Sequence, residues 1–131
     1  MPKPVILCVD DEAVVLESLE IELQHAFDDT YLYEFAESAT EALEIVDELL
    51  ENHVEILLIL SDWLMPGMKG DEFLIKIHNQ YPQIVTVLLT GQADRAAIER
   101  AKEQANLHAC LHKPWEHKEF VETIQSGLKK K

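Results

Sequence analysis

Five consecutive apolar side chains, Ile56-Leu57-Leu58-Ile59-Leu60, run without interruption into Ser61-Asp62. A strand of that composition has no side to leave in water, so it must be covered on both faces. Val5 to Val9 has the same character, and Ile84 to Leu89 nearly so. Between these runs the period of the apolar residues changes. From Ala13 to Phe27 they fall at Val15, Leu16, Leu19, Leu23, Ala26 and Phe27, the stripe of a one-sided helix.

The same alternation continues along the chain. Tyr31 to Ala36 is rich in aromatics and reads as a strand. Ser38 and Glu41 form a capping box for a helix carrying Leu43, Val46, Leu49 and Leu50 on one side. Val54 to Leu60 is the third strand, and Phe73, Leu74 and Ile77 mark a helix that ends before Tyr81-Pro82. Ile84 to Leu89 follows as a strand, and Ala97, Ile98, Ala101 and Ala105 line the next helix. Leu107 to His112 is a short fifth strand, and Phe120, Val121, Ile124 and Leu128 face inward from a last helix. Doubly buried strands alternating with helices predict a three-layer, doubly wound α/β domain around a five-stranded parallel sheet. With 131 residues and no internal linker, the reading is a single domain over 1–131.

Composition narrows the function. Hydrophobic residues make up 47% of the chain, enough for a core and too many for disorder. The 25 acidic residues against 11 Lys and Arg leave a net charge of -14. That balance argues against a nucleic-acid surface and against adhesion to anionic membranes, both of which need clustered cations. The basic run Lys129-Lys130-Lys131 is too short to offset it. No apolar stretch approaches the ~20 residues that span a bilayer, and Met1-Pro2-Lys3-Pro4 leads into too short an apolar run for a signal peptide. Two cysteines make no disulfide framework, so the protein reads as cytoplasmic and reduced.

In open parallel sheets the functional crevice lies beyond the carboxyl ends of the strands. There the chain places Asp10 and Asp11, then Asp62, then Thr90 and finally Lys113. Two unit charges about 4 Å apart repel by ~4 kcal/mol at an effective dielectric near 20. Three such acids are tolerable if a cation sits among them or one stays protonated. Oxygen-only ligands favour a hard ion, and a site with few protein ligands suits Mg²⁺ better than Ca²⁺. A carboxylate beside Mg²⁺, with a Lys and a Thr at hand, suits phosphoryl transfer onto the carboxylate. Asp62, ending the strand expected at the sheet centre, is the best nucleophile.

Four pieces in this order carry a family resemblance: Val9-Asp10-Asp11, Ser61-Asp62-Trp63-Leu64-Met65-Pro66-Gly67-Met68-Lys69-Gly70, Leu88-Leu89-Thr90-Gly91 and His112-Lys113-Pro114-Trp115. Together they resemble the receiver domain of two-component response regulators across essentially the whole chain. The resemblance implies a flavodoxin-like strand order of 2-1-3-4-5. It implies that Asp62 accepts a phosphoryl group from a histidine kinase or phosphotransfer protein. Asp11, Asp62 and the backbone carbonyl of Leu64 would ligate Mg²⁺, with Asp10 helping through water. Lys113 would hold the phosphoryl oxygens and Thr90 would report their arrival, and the Lys113-Pro114 bond would be cis. Such a domain is a switch with self-phosphorylation and autodephosphorylation only, acting on an output domain or a downstream protein. The resemblance names neither the cognate kinase nor an oligomeric state.

One position departs from the family. Cys110 stands where receivers usually carry Tyr or Phe, so no swinging aromatic ring is expected, and output through the segment after Thr90 or through Trp115 takes its place. Gln92, two beyond Thr90, is positioned to orient a hydrolytic water where Leu64 cannot, which predicts moderately slow autodephosphorylation. His108, Cys110 and His112 would share a strand face, a pattern more often packing than metal binding. Cys8 and Cys110 lie on strands the implied order separates by roughly 14 Å, too far for a disulfide. Trp63 and Trp115 read as packing residues flanking the pocket, and His25, His53, His78 and His117 as surface or cap positions. Three rivals fit less well. A haloacid-dehalogenase-type hydrolase needs Asp-x-Asp, but Asp62 is followed by Trp63-Leu64. A flavin module needs a phosphate cradle where Asp10-Asp11-Glu12 stands. A phosphorylation-independent scaffold would not need all five site residues.

Overall fold

Alternation along the strands decides which helix covers which side of the sheet. The computed structural model describes residues 3–91 and 94–130. Its elements follow one another as β1(Val5–Val9), α1(Ala13–Phe27), β2(Leu32–Ala36), α2(Ala39–Glu51), β3(Ile56–Asp62), α3(Gly70–Gln80), β4(Val85–Thr90), α4(Arg95–Gln104), β5(Ala109–His112) and α5(His117–Leu128). The strands form one five-stranded sheet in the order β2-β1-β3-β4-β5, every neighbouring pair parallel. The expected three-layer architecture and strand order are both present.

On one face Val5, Leu7, Val9, Ile59 and Leu88 meet Ala42 and Val46 of α2 and Phe73, Leu74 and Ile77 of α3, with Ile98 of α4 packed against them. On the other, Ile6, Cys8, Leu60, Val87 and Leu89 meet Leu16, Leu19 and Leu23 of α1 and Phe120 and Ile124 of α5. Phe73 and Phe120 are fully buried, one under each face. Burying a side chain of that size contributes about 1.5–3 kcal/mol. Register slips once, where Val5 pairs Ile56 but Ile6 pairs Leu58. The extra residue, Leu57, lies on the α1/α5 side with Leu58, so Ile56 and Ile59 both reach the α2/α3 side.

Several boundaries move by one or two residues from the sequence reading. β2 begins at Leu32, β4 at Val85 and β5 at Ala109, while β3 extends to Asp62 and β4 to Thr90. The extensions follow from pairing: Asp62 is in register with Leu89, and Thr90 with His112. Asp62 and Thr90 are thus held by ladder hydrogen bonds at the strand tips. Ser38 caps α2 by accepting the Glu41 N–H at 3.1 Å. The Glu41 carboxylate reaches back one residue further than a reciprocal box requires, accepting the Glu37 N–H at 2.6 Å.

The turn that follows β3 is set by two glycines. Gly67 has φ +81°, in the left-handed region. Gly70 opens α3 against the tip of β3, where an added Cβ would lie 1.9 Å from the Asp62 carbonyl oxygen. Gly70→Ala is therefore expected to destabilise by about 1–3 kcal/mol or more, because backbone must move. Gly91→Ala, with nothing within 4 Å of the new methyl, should change little. Denaturant midpoints of the two variants test this, and equal midpoints would contradict it.

Candidate functional site at the strand tips

The sheet brings together the residues that the sequence separates. Asp10 follows β1 and is fully buried, Asp62 ends β3 with 6% exposure, and Thr90 ends β4 with 1%. Asp11 is exposed beside them. One oxygen from each of Asp10, Asp11 and Asp62 lies within 4.8 Å of the others, and among the described residues this is the only group of three so placed. Lys113, just beyond β5, donates from Nζ to Asp10 Oδ2 at 2.9 Å and to Asp62 Oδ1 at 3.0 Å. The other Asp10 oxygen accepts the Glu12 N–H at 2.9 Å. Leu64, Thr90 and Gly91 line the cleft with Asp11, Asp62 and Lys113. The Lys113-Pro114 peptide is cis, as expected.

Electrostatics follow from this crowding. Burial pushes the Asp62 carboxyl above its usual range; the hydrogen bond from Lys113 opposes this, while the charges of Asp10 and Asp11 add to it. For Lys113, burial works against the ammonium, but the hydrogen bonds and charges of Asp10 and Asp62 outweigh it and raise its pKa. Two of the three carboxylates, Asp10 and Asp62, share one ammonium. The donor set of the three is oxygen only, open to solvent on the Asp11 side, and suits a hard divalent cation that keeps some of its water.

Neighbouring expectations divide. Trp115 stacks on Phe120 with ring centroids 5.8 Å apart, so it is a packing residue as read from the sequence. Trp63 lines the cleft under the Lys69 ammonium, 5.4 Å from its ring. Of the face expected for His108, Cys110 and His112, Cys110 and His112 remain alternate residues of β5 and His108 departs. His108 stands just before β5, its N–H donates to the Thr86 carbonyl at 2.9 Å, and its Nε2 lies 2.8 Å from Ser126 Oγ on α5. Cys110 instead packs half-buried on the α2/α3 side. Both thiols are free, and Cys8 is buried with its pKa pushed well up by burial. Gln92 lies outside the described residues.

Two side-chain clusters escaped the sequence reading. Asp71, in the first turn of α3, is buried and accepts from Arg100 Nη1 of α4 at 2.6 Å, while its Oδ1 has no partner among the described residues. An acid in a first turn is a common dipole partner, and nothing in the sequence marked this one for burial. Glu22 of α1 accepts from Trp115 Nε1 at 3.0 Å and lies 3.1 Å from His117 Nδ1. His117 is exposed as expected, but it is tied to α1.

The response regulator receiver domain profile matches residues 6–125. Among curated relatives, the chain is similar to the hydrogenase transcriptional regulatory protein HoxA of Cupriavidus necator, 28% identical over 123 residues, covering 94% of this chain and 24% of the relative. It is also similar to the sensor kinase CckA of Brucella abortus, 30% identical over 125 residues, covering 95% of this chain and 12% of the relative. The chain thus spans a quarter or less of these proteins. Among solved structures, the signal receiver domain of an HD domain-containing protein from Pseudomonas fluorescens superposes with a TM-score of 0.82 at 34% identity, covering 97% of this chain and 95% of that one. A CheY-like receiver domain protein from Methanospirillum hungatei gives 0.81 at 29% identity, covering 97% and 94%.

Because the Asp62 carboxyl holds its proton more strongly in the fold than in the open chain, its ionisation subtracts stability. The subtraction begins as pH rises through the open-chain value, is complete above the folded-state value, and is absent only below both. Asp11→Asn removes one of the repelling charges and should raise stability near neutral pH by about 1 kcal/mol, the scale for charges about 4 Å apart in water-like surroundings. The gain should fade as acid protonates Asp62. Denaturation across pH checks it; a gain equal at acid and neutral pH, or a loss, would contradict the electrostatic reading.

Proposed function

We propose that this chain, which belongs to the response regulator receiver domain family, accepts a phosphoryl group on Asp62 and acts as a two-state switch. The observation that carries the proposal is the placement of Lys113 Nζ between Asp10 and Asp62, beside Thr90 at the next strand tip. The donor is a phosphohistidine on a sensor histidine kinase or a phosphotransfer protein. A carboxylate oxygen of Asp62 attacks phosphorus in line, the P–N bond breaks, and the leaving imidazole takes up a proton. Asp11, Asp62 and the Leu64 carbonyl would hold Mg²⁺, with Asp10 assisting through water. When bound, that ion supplies neutralisation of the charge on the transferring oxygens.

This chain's own residues do the remaining work. Asp10 and Asp11 set the charge that Asp62 must share. Lys113 loses a partner when Asp62 becomes an acyl phosphate, and its ammonium then pairs with a phosphoryl oxygen. The Thr90 hydroxyl donates to another. The new group brings about two negative charges. A state in which Lys113 and Thr90 engage the phosphoryl group is thereby favoured over one in which they do not. Cys110 offers no ring to swing, so the change passes from Thr90 into the segment leading to α4. Gln92 orients the water for a moderately slow return.

The chemistry ends there: self-phosphorylation and autodephosphorylation, with no turnover of a separate substrate. Residues 1–131 act as one domain in the cytoplasm, reading out to an output domain or a downstream partner. Its net charge of -14 gives this domain no surface for nucleic acid or anionic membrane, and no helix of the described residues is long and apolar enough to cross a bilayer.

Incubation with a small acyl phosphate and Mg²⁺, followed by intact-protein mass measurement, tests the proposal. One phosphoryl group should appear, should require the metal, and should be absent from Asp62→Asn. Multiple turnover of phosphate esters, or labelling that survives Asp62→Asn, would overturn it.

A further inference from the structure

Lys113 is useful only where its Nζ meets Asp10 and Asp62, and its backbone sits at the start of a short connection into α5. One end of that connection is fixed, because the Lys113 N–H donates to the Thr90 carbonyl at 2.7 Å. No strand or helix covers the rest before α5 begins at His117. Glu22 supplies the other anchor. Its Oε2 accepts from the Trp115 indole at 3.0 Å and its Oε1 lies 3.1 Å from His117 Nδ1. An ionised carboxylate only accepts, so His117 presents Nδ1–H to it. The Glu22 side chain is 18% exposed, and the Trp115 ring stacks on Phe120. Glu22 belongs to α1, the helix that begins at Ala13, two residues after Asp11. One carboxylate therefore ties the acid-bearing segment of the site to the lysine-bearing one.

We propose that Glu22 is a positioning residue for Lys113, clamping the β5–α5 connection to α1 so that the ammonium is already in place when a phosphoryl group arrives. The inference rests on the phosphoacceptor reading above and adds a residue outside the acidic pocket. It separates two functions that simple loss of structure would damage together. Phosphoryl transfer needs Lys113 placed to meet the developing charge, whereas a divalent cation would draw on the negative charge of the same carboxylates, Asp10 and Asp62, that Lys113 neutralises. Loosening the clamp should slow the first and leave the second unchanged or stronger.

The test measures both quantities on the whole chain: the phosphorylation rate with a small acyl phosphate, and Mg²⁺ affinity by titration. Glu22→Ala should lower the rate about tenfold, since small misplacement of a catalytic group is costly, with Mg²⁺ affinity unchanged or tighter. Glu22→Gln should restore most of the rate. Its amide oxygen accepts from Trp115 and its amide nitrogen donates to neutral His117. Ile77→Val, a core truncation far from the clamp, serves as the stability control. A Glu22→Ala rate equal to that of the unmodified chain overturns the clamp and leaves the phosphoacceptor reading standing. So does a parallel fall in rate and Mg²⁺ affinity that matches the control. No label on the unmodified chain removes both.

Discussion

Repulsion among three carboxylates at one rim of the sheet is the constraint that the surrounding structure contains. Asp10 and Asp62 are buried where an unpaired charge is costly, and Asp11 adds to the field from the exposed side. A single ammonium answers them, reaching both buried acids at about hydrogen-bonding distance. Lys113 comes from the opposite end of the sequence, so the site exists only while β1, β3 and β5 keep their places in the sheet. Core packing on both faces holds them there, with Phe73 beneath one and Phe120 beneath the other. Stability of the fold and availability of the site are thus one problem.

That dependence explains why details remote from the acids matter. Gly70 lets α3 begin against the Asp62 carbonyl, which sets the tip of β3. The Glu22 carboxylate joins α1 to the segment after Lys113. Asp71 and Arg100 join α3 to α4. The first two contacts hold segments next to site residues, and the third joins the two helices that follow Asp62 and Thr90 in the chain. A phosphoryl group on Asp62 would alter the charge these ties were balanced against, and Thr90 leads directly into the segment before α4.

The sequence was readable where chemistry repeats along the chain and silent where it meets across it. Unbroken apolar runs such as Ile56 to Leu60 demanded burial on both faces, and that alone specified a parallel sheet between two helical layers. Asp10, Asp11, Asp62, Thr90 and Lys113 were visible because each stands where an apolar run stops. Strand ends were harder, because Asp62 and Thr90 join the ladder only through partners on neighbouring strands. The bulge at Leu57 has no signal in a run of similar aliphatics. His108 misled because its backbone still bonds to Thr86 of β4 while its side chain turns to Ser126 on α5. Glu22, Trp115 and His117 were ordinary residues until two helices brought them together, and Asp71 looked like any acid in a first helical turn.

The most direct test of the account is a crystal structure of the chain grown with Mg²⁺ and beryllofluoride, a stable mimic of a phosphoryl group on a carboxylate. The account predicts beryllofluoride on Asp62, one metal ion against Asp11 and Asp62, and Lys113 and Thr90 turned to the fluorines. Lys113 still bridging Asp10 and Asp62, with the metal bound elsewhere or Asp62 bare, would contradict it.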